Sequence, residues 1–139
     1  MAQQVREVMT PDPIAMPATA TAVDAAKAMR DGDVGDIIVI DGDRICGIVT
    51  DRDIVVRGVS AGRHPNQTRL GDICSRELTT VSPGDDVADA IALMRERAIR
   101  RLPVVENDRP VGILSLGDLA VERDEHSVLG EISAAPPNR

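Results

Sequence analysis

The chain has 139 residues, enough for one compact domain or two half-size units sharing a core, with 42% hydrophobic and 28% charged residues. It contains no Phe, Tyr or Trp, so its core must be aliphatic and it has no aromatic platform on which single-stranded nucleic acid could stack. A formal net charge of −7 repels a phosphate polyanion over most of the surface and argues against nucleic acid a second time.

The start, MAQQVREVM, lacks the apolar stretch of a signal peptide. The longest aliphatic run, Ile37-Ile38-Val39-Ile40, is far too short to cross a bilayer, so no membrane contact is expected. Ala22, Ala25, Ala26 and Met29 recur at helical spacing and predict one apolar helix face. Ile37–Ile40, the turn Asp41-Gly42-Asp43 and Arg44–Val49 read as two strands joined by a hairpin. A second helix is expected from GIVTDRD (47–53) onward, with Ile54, Val55 and Val56 apolar. Small and polar residues at 59–69 form a linker. The plan then returns: a helix on Val87, Ala90, Ile91 and Met94, strands at Leu102–Val105 and Arg109–Leu114, and a helix opening at GILSLGD (112–118). Residues 124–139 carry a short apolar stripe (Val128, Leu129, Ile132), read as a docked helix or a dimer contact, and a proline-rich end.

The second motif follows the first at an offset of 65 positions, which holds without a gap over residues 5–56 against 70–121. Asp24, Ala25, Met29 and Arg30 align with Asp89, Ala90, Met94 and Arg95, and Gly47, Ile48 and Asp53 with Gly112, Ile113 and Asp118. The chain is a duplication. The expected fold is α/β: two tandem helix-strand-strand-helix repeats, 5–58 and 70–123, packed with pseudo-twofold symmetry, with a linker at 59–69 and a C-terminal segment at 124–139.

The repeated motif has two readings on physical grounds. Thr50-x-x-Asp53 and Ser115-x-x-Asp118 match a helix capping box, although Asp is shorter than the usual Glu and is expected to reach back poorly. Alternatively, a helix N-terminus attracts phosphate, a nearby carboxylate accepts bonds from ribose hydroxyls, and the glycine lets the backbone approach a ligand. The residues alone leave both open. Cys46 and Cys74 show no CxxC or framework spacing and read as buried thiols in a reducing cytoplasm. His64 and His126 stand alone, so no metal site is expected. No nucleophile–base pair or carboxylate dyad stands out, so an enzyme is not expected.

The arrangement resembles a tandem pair of CBS domains (a Bateman module), whose second helix opens with glycine, two aliphatics, Ser or Thr, two variable residues and Asp. IRRLPVVENDRPVGILSLGD is similar to the family's typical second half, and AMRDGDVGDIIVIDGDRICGIVTDRDIVVRG to the first half of small stand-alone bacterial CBS pairs. The resemblance covers about residues 5–123. It implies adenosine-containing ligands (AMP, ADP, ATP or S-adenosylmethionine) in two clefts between the repeats. Asp53 and Asp118 would bind ribose hydroxyls, and Thr50 and Ser115 would face the ribose-phosphate region. Adenine would lie against Ile14, Ala15 and Met16 for the Asp118 cleft, and against Thr79, Thr80 and Val81 for the Asp53 cleft. Arg100 and Arg101 resemble the family's phosphate contacts, and the matching positions hold Gly35 and Asp36. The second cleft should therefore be the tighter for AMP or ADP, unless Arg52 or Arg57 offsets Asp36 in the first. Pro103 matches the family's usual proline, and Ile38 in its place departs from it.

The resulting expectation is a regulatory module, cytoplasmic and homodimeric, that needs no cofactor for chemistry and signals by a ligand-driven shift of conformation or dimer geometry. The alternative is a ligand-free dimeric scaffold that docks on an enzyme.

Overall fold

The computed structural model describes residues 3–76 and 78–123, the last four by backbone alone. Its elements are α1 (Val5–Val8), β1 (Thr10–Pro11), β2 (Ala15–Pro17), α2 (Ala22–Gly32), β3 (Asp36–Asp41), β4 (Arg44–Thr50), α3 (Asp51–Asp53), α4 (Leu70–Ile73), α5 (Val87–Arg97), β5 (Arg101–Glu106), β6 (Arg109–Ser115) and α6 (Leu116–Arg123). A π-helical segment, Ile54–Val59, continues α3. The C-terminal stripe and His126 lie outside the described residues.

Two three-stranded sheets form, in the orders β2-β3-β4 and β1-β6-β5. Each is built on the predicted hairpin, and both hairpins shift register at the same place, between Val39 and Ile40 and between Val104 and Val105. The sheets belong to two compact units, one spanning Pro13–Leu78 and the other joining the residues up to Asp12 with those from Thr79 onward. The units therefore do not follow the repeats at their leading segments. The opening helix and strand of the first repeat (α1, β1) pack on the second repeat's sheet, with Thr10 opposite Ile113 and Pro11 opposite Gly112. The opening helix of the second repeat (α4) likewise serves the first repeat's sheet, where Ser75 bridges Ile48.

Aliphatic burial drives this exchange. In the first unit Leu70 and Ile73 from α4 are fully buried with Ile37, Val39 and Val49. In the second, Val5 from α1 is fully buried with Leu102, Val104 and Leu114. Each such side chain contributes roughly 1.5–3 kcal/mol by leaving water. On α2, Ala22, Ala25 and Met29 are buried as expected, but Ala26 is exposed and the partly buried Ala28 packs on the core instead. On α5, Val87, Ala90 and Met94 are buried and Ile91 packs partly against them.

The helix after the first motif departs from the expected α-helix. After the single turn Asp51–Asp53 the chain widens, and Ser60 N–H bonds to Val55 C=O at 2.8 Å and Arg63 N–H to Gly58 C=O at 3.1 Å, both spanning five residues. A β-branched run followed by glycine is a poor α-helix former. Ile54 packs on the core, but Val55, Val56 and Val59 are exposed at 58%, 46% and 56%, so the apolar pattern there did not mark a buried face.

Candidate functional site

Both motifs sit where the second strand of a hairpin runs into a helix. At the end of β6 the Ser115 Oγ accepts from Asp118 N–H at 3.1 Å, and Asp118 Oδ2 accepts from Ser115 N–H at 3.0 Å. At the end of β4 the same pair of bonds joins Thr50 and Asp53, at 3.1 and 2.9 Å. A third box joins Thr21 and Asp24, whose carboxyl is held below the usual range by hydrogen bonds from the Thr21 backbone and hydroxyl. Asp is therefore not too short to reach back. The extended backbone of the capping residue (φ −115° and ψ 165° at Thr50) turns its N–H toward the first helical turn, and the shorter acid closes the box.

Capping uses only one carboxylate oxygen. The other, Asp118 Oδ1, accepts the Thr10 hydroxyl at 3.1 Å. The box thus fixes the carboxylate rotamer while its second oxygen takes a hydroxyl donor. In the first motif Asp53 Oδ1 instead lies 3.7 Å from the Arg57 Nε, and the Arg57 guanidinium also reaches the carbonyls of Ile73 and Cys74 at 3.4 Å each. Thr10 was not foreseen as a site residue. The signal for it was its alignment with Ser75, a second hydroxyl residue at the same offset.

The surroundings of the two carboxylates differ in charge. Arg101 stands opposite Ser115 on the neighbouring strand, and Asp36 stands opposite Thr50. Arg100 C=O accepts Leu116 N–H at 3.0 Å, and Gly35 C=O accepts Asp51 N–H at 3.1 Å, so the backbone path is the same in both. Arg100 and Arg101 are exposed. The strand end opposite Ser115 therefore carries two arginines, whereas α3 begins among Asp36, Asp51 and Asp53, with Arg52 in the same turn and Arg57 drawn to Asp53.

The motif glycines have a structural cause. A Cβ on Gly47 would clash with the Ser75 carbonyl oxygen, and one on Gly112 would lie 2.5 Å from the Met9 sulfur and 2.9 Å from the Thr10 carbonyl oxygen. The backbone that approaches each glycine is the protein's own exchanged segment. The expectation that the glycine makes room for a ligand is thereby replaced.

Ile14, Ala15 and Met16 lie in the unit that holds Thr50 and Asp53, with β2 parallel to β3 and Ile14 C=O accepting Ile38 N–H at 2.9 Å. Thr79, Thr80 and Val81 lie in the unit of Ser115, Asp118, Arg100, Arg101 and Pro103. Pro103 has no N–H to give Thr79 the matching bond. The parallel strand there is reduced to one bridge, Val81 to Val104, with Val81 N–H on Pro103 C=O at 3.1 Å and Val105 N–H on Val81 C=O at 2.8 Å. A cleft of about 290 Å³ in this unit is lined by Thr80, Val81, Asp85, Asp89, Leu93 and Glu96 among others, an acidic wall unsuited to phosphate. Among the described residues no three His, Cys, Asp or Glu gather as metal ligands, and no helix is long and apolar enough to cross a membrane.

Comparison with known proteins agrees with this geometry. The CBS domain family model matches twice, at residues 5–59 and 70–125. The CBS domain-containing protein YhcV of Bacillus subtilis is 36% identical over 126 residues, covering 91% of this chain and 89% of the relative. A putative signal-transduction protein with CBS domains from Burkholderia ambifaria superposes with a TM-score of 0.80 at 28% identity, covering 90% and 96% of the two chains. The CBS domain pair of protein MJ0100, solved in complex with 5-methylthioadenosine and S-adenosyl-L-methionine, has the same fold at a TM-score of 0.78 and 21% identity, covering 91% and 100%. The twice-matched family model, the duplicated strand-to-helix motif and the two hairpin sheets make this chain a tandem pair of CBS domains and a member of the CBS-domain family.

Proposed function

We propose that this CBS pair is a regulatory module that binds an adenosine-containing ligand, AMP, ADP, ATP or S-adenosylmethionine, and converts occupancy into a change of conformation or dimer geometry. The observation that carries the reading is Asp118, whose carboxylate is set by its cap while Oδ1 accepts a hydroxyl at 3.1 Å, the type of group a ribose offers. Ser115 lies at the ribose-phosphate end with Arg100 and Arg101 as phosphate contacts. Asp53 and Thr50 form the weaker counterpart, because Arg57 already engages Asp53 and Asp36 repels phosphate. Ile14, Ala15 and Met16, and Thr79, Thr80, Val81 and Pro103, supply the adenine surfaces. The MJ0100 pair was captured with two adenosine derivatives, and its likeness to this chain supports the fold as a host for such ligands. The module works in the cytoplasm, without catalysis of its own.

Calorimetric titration with the four ligands tests the phosphate contacts. Replacing Arg100 and Arg101 together by Ala should weaken AMP and ADP roughly tenfold to a hundredfold, since a hydrogen bond to a charged group is worth about 1.5–3 kcal/mol. S-adenosylmethionine, which carries no phosphate, should change less than about threefold by the same reasoning. Equal loss for all four would show that the arginines shape the unit and do not read phosphate.

A second reading, a dimeric scaffold, is favoured by one feature. Val55, Val56, Val59 and Leu116 expose apolar side chains at the two helices that follow the motifs. Such surface suits self-association whether or not a ligand binds.

A further inference from the structure

We propose that Cys46 and Cys74 form an oxidisable dithiol that closes to an intrachain disulfide on exposure to a hydroperoxide. The two residues are 28 positions apart in sequence, yet their sulfurs lie 3.7 Å from each other. Cys46 is half-buried on β4, and Cys74, just past α4, is 5% exposed. The exchanged segment brings them together: Ser75 N–H bonds to Ile48 C=O at 2.9 Å, Ile48 N–H bonds to Ser75 C=O at 3.2 Å, and Gly47 leaves the space over which the Cys74 sulfur sits. A disulfide needs sulfurs about 2.05 Å apart, so closure takes a shift of less than about 2 Å. At the matching places in the other repeat stand Val111 and Met9, so the device is confined to the first repeat's sheet.

The two thiols have different parts. Burial, with the neighbouring Cys46 sulfur, pushes the Cys74 thiol up to about 11, so it stays protonated and unreactive by itself. Cys46, the more accessible, is the first to react. Its sulfur attacks the hydroperoxide, the O–O bond breaks, and Cys46–SH with ROOH gives Cys46–SOH with ROH. The Cys74 sulfur then displaces the hydroxide from Cys46, its own proton completes a water molecule, and the S–S bond forms. The two sulfurs lose two electrons in all and the peroxide gains them. The closed ring spans Thr50, Asp53 and the π-helical segment, and it pins the Cys74 carbonyl that Arg57 holds at 3.4 Å.

The test uses the wild-type chain. Folded protein is exposed to hydrogen peroxide, quenched, denatured and alkylated, and its intact mass is read before and after. The expected result is a loss of two hydrogens with no alkylation, reversal by dithiothreitol, and a peptide map linking Cys46 to Cys74. Two alkylated thiols after exposure would overturn the proposal, as would sulfinic acid at Cys46 with Cys74 still free, or only interchain disulfides. In the Cys46→Ser variant, shown folded by its circular dichroism, Cys74 should remain a free thiol under the same exposure. Ready oxidation of Cys74 there would contradict Cys46 as the entry point.

Discussion

Gly47→Ala will destabilise the unit spanning Pro13–Leu78 by about 3 kcal/mol, the upper end of what overpacking costs. The added methyl would meet the Ser75 carbonyl, and that carbonyl cannot yield without breaking the bonds between Ser75 and Ile48 at 2.9 and 3.2 Å. Cys74, fixed above the same glycine, and the buried Leu70 and Ile73 of α4 would lose their seat with it. Gly58→Ala is the matched control. Nothing lies within 4 Å of a Cβ there, and the substitution should stabilise by roughly 0.5–1 kcal/mol through reduced chain entropy. Urea unfolding followed by far-ultraviolet circular dichroism reads both, since the chain has no Trp or Tyr for fluorescence. A Gly47→Ala protein within about 0.5 kcal/mol of wild type would show that the exchanged segment is not seated as described.

The second large effect concerns Asp118. Asn at this position can still accept from Ser115 N–H through its amide oxygen and so keep the cap, but its amide nitrogen cannot accept a ribose hydroxyl where Oδ1 now accepts Thr10. Asp118→Asn should therefore lower adenosine-ligand affinity about tenfold to a hundredfold, the value of one hydrogen bond to a charged acceptor, with stability changed by less than about 1 kcal/mol. Asp118→Ala removes both functions and should cost cap stability as well. Asp53→Asn should have a smaller effect on binding, because Arg57 already competes for that carboxylate at 3.7 Å. If Asp118→Asn binds as wild type does, the carboxylate is a cap alone.

The sequence revealed the parts of this molecule that are written twice. The pattern repeated at an offset of 65 predicted both hairpins and the helices α2 and α5, because buried positions such as Ala25 and Ala90, or Val39 and Val104, carry the same constraint in each repeat. Pairings that depend on which segment docks where were not readable. Nothing local in VREVMT or LGDICS says that each lies on the other repeat's sheet, so the cause of Gly47 and Gly112, the Thr10 bond to Asp118 and the meeting of Cys46 with Cys74 were all hidden. The winding after the first motif was not readable either: a helix was expected there, and the β-branched run winds wider than an α-helix and leaves Val55 and Val56 exposed. The Thr/Ser-to-Asp spacing was visible, but its two meanings were not separable, because the structure uses one carboxylate oxygen for the cap and presents the other to a hydroxyl.

Whether this CBS pair takes up an adenosine-containing ligand is decided on the purified wild-type protein. With no Trp or Tyr it absorbs almost nothing in the near ultraviolet, so an adenine band in its spectrum belongs to a ligand carried through purification. After any such ligand is removed, calorimetry with AMP, ADP, ATP and S-adenosylmethionine should give saturable heat for at least one of them. A spectrum free of adenine together with no heat from any of the four would contradict the account and leave the paired Thr50–Asp53 and Ser115–Asp118 boxes as helix caps in a scaffold.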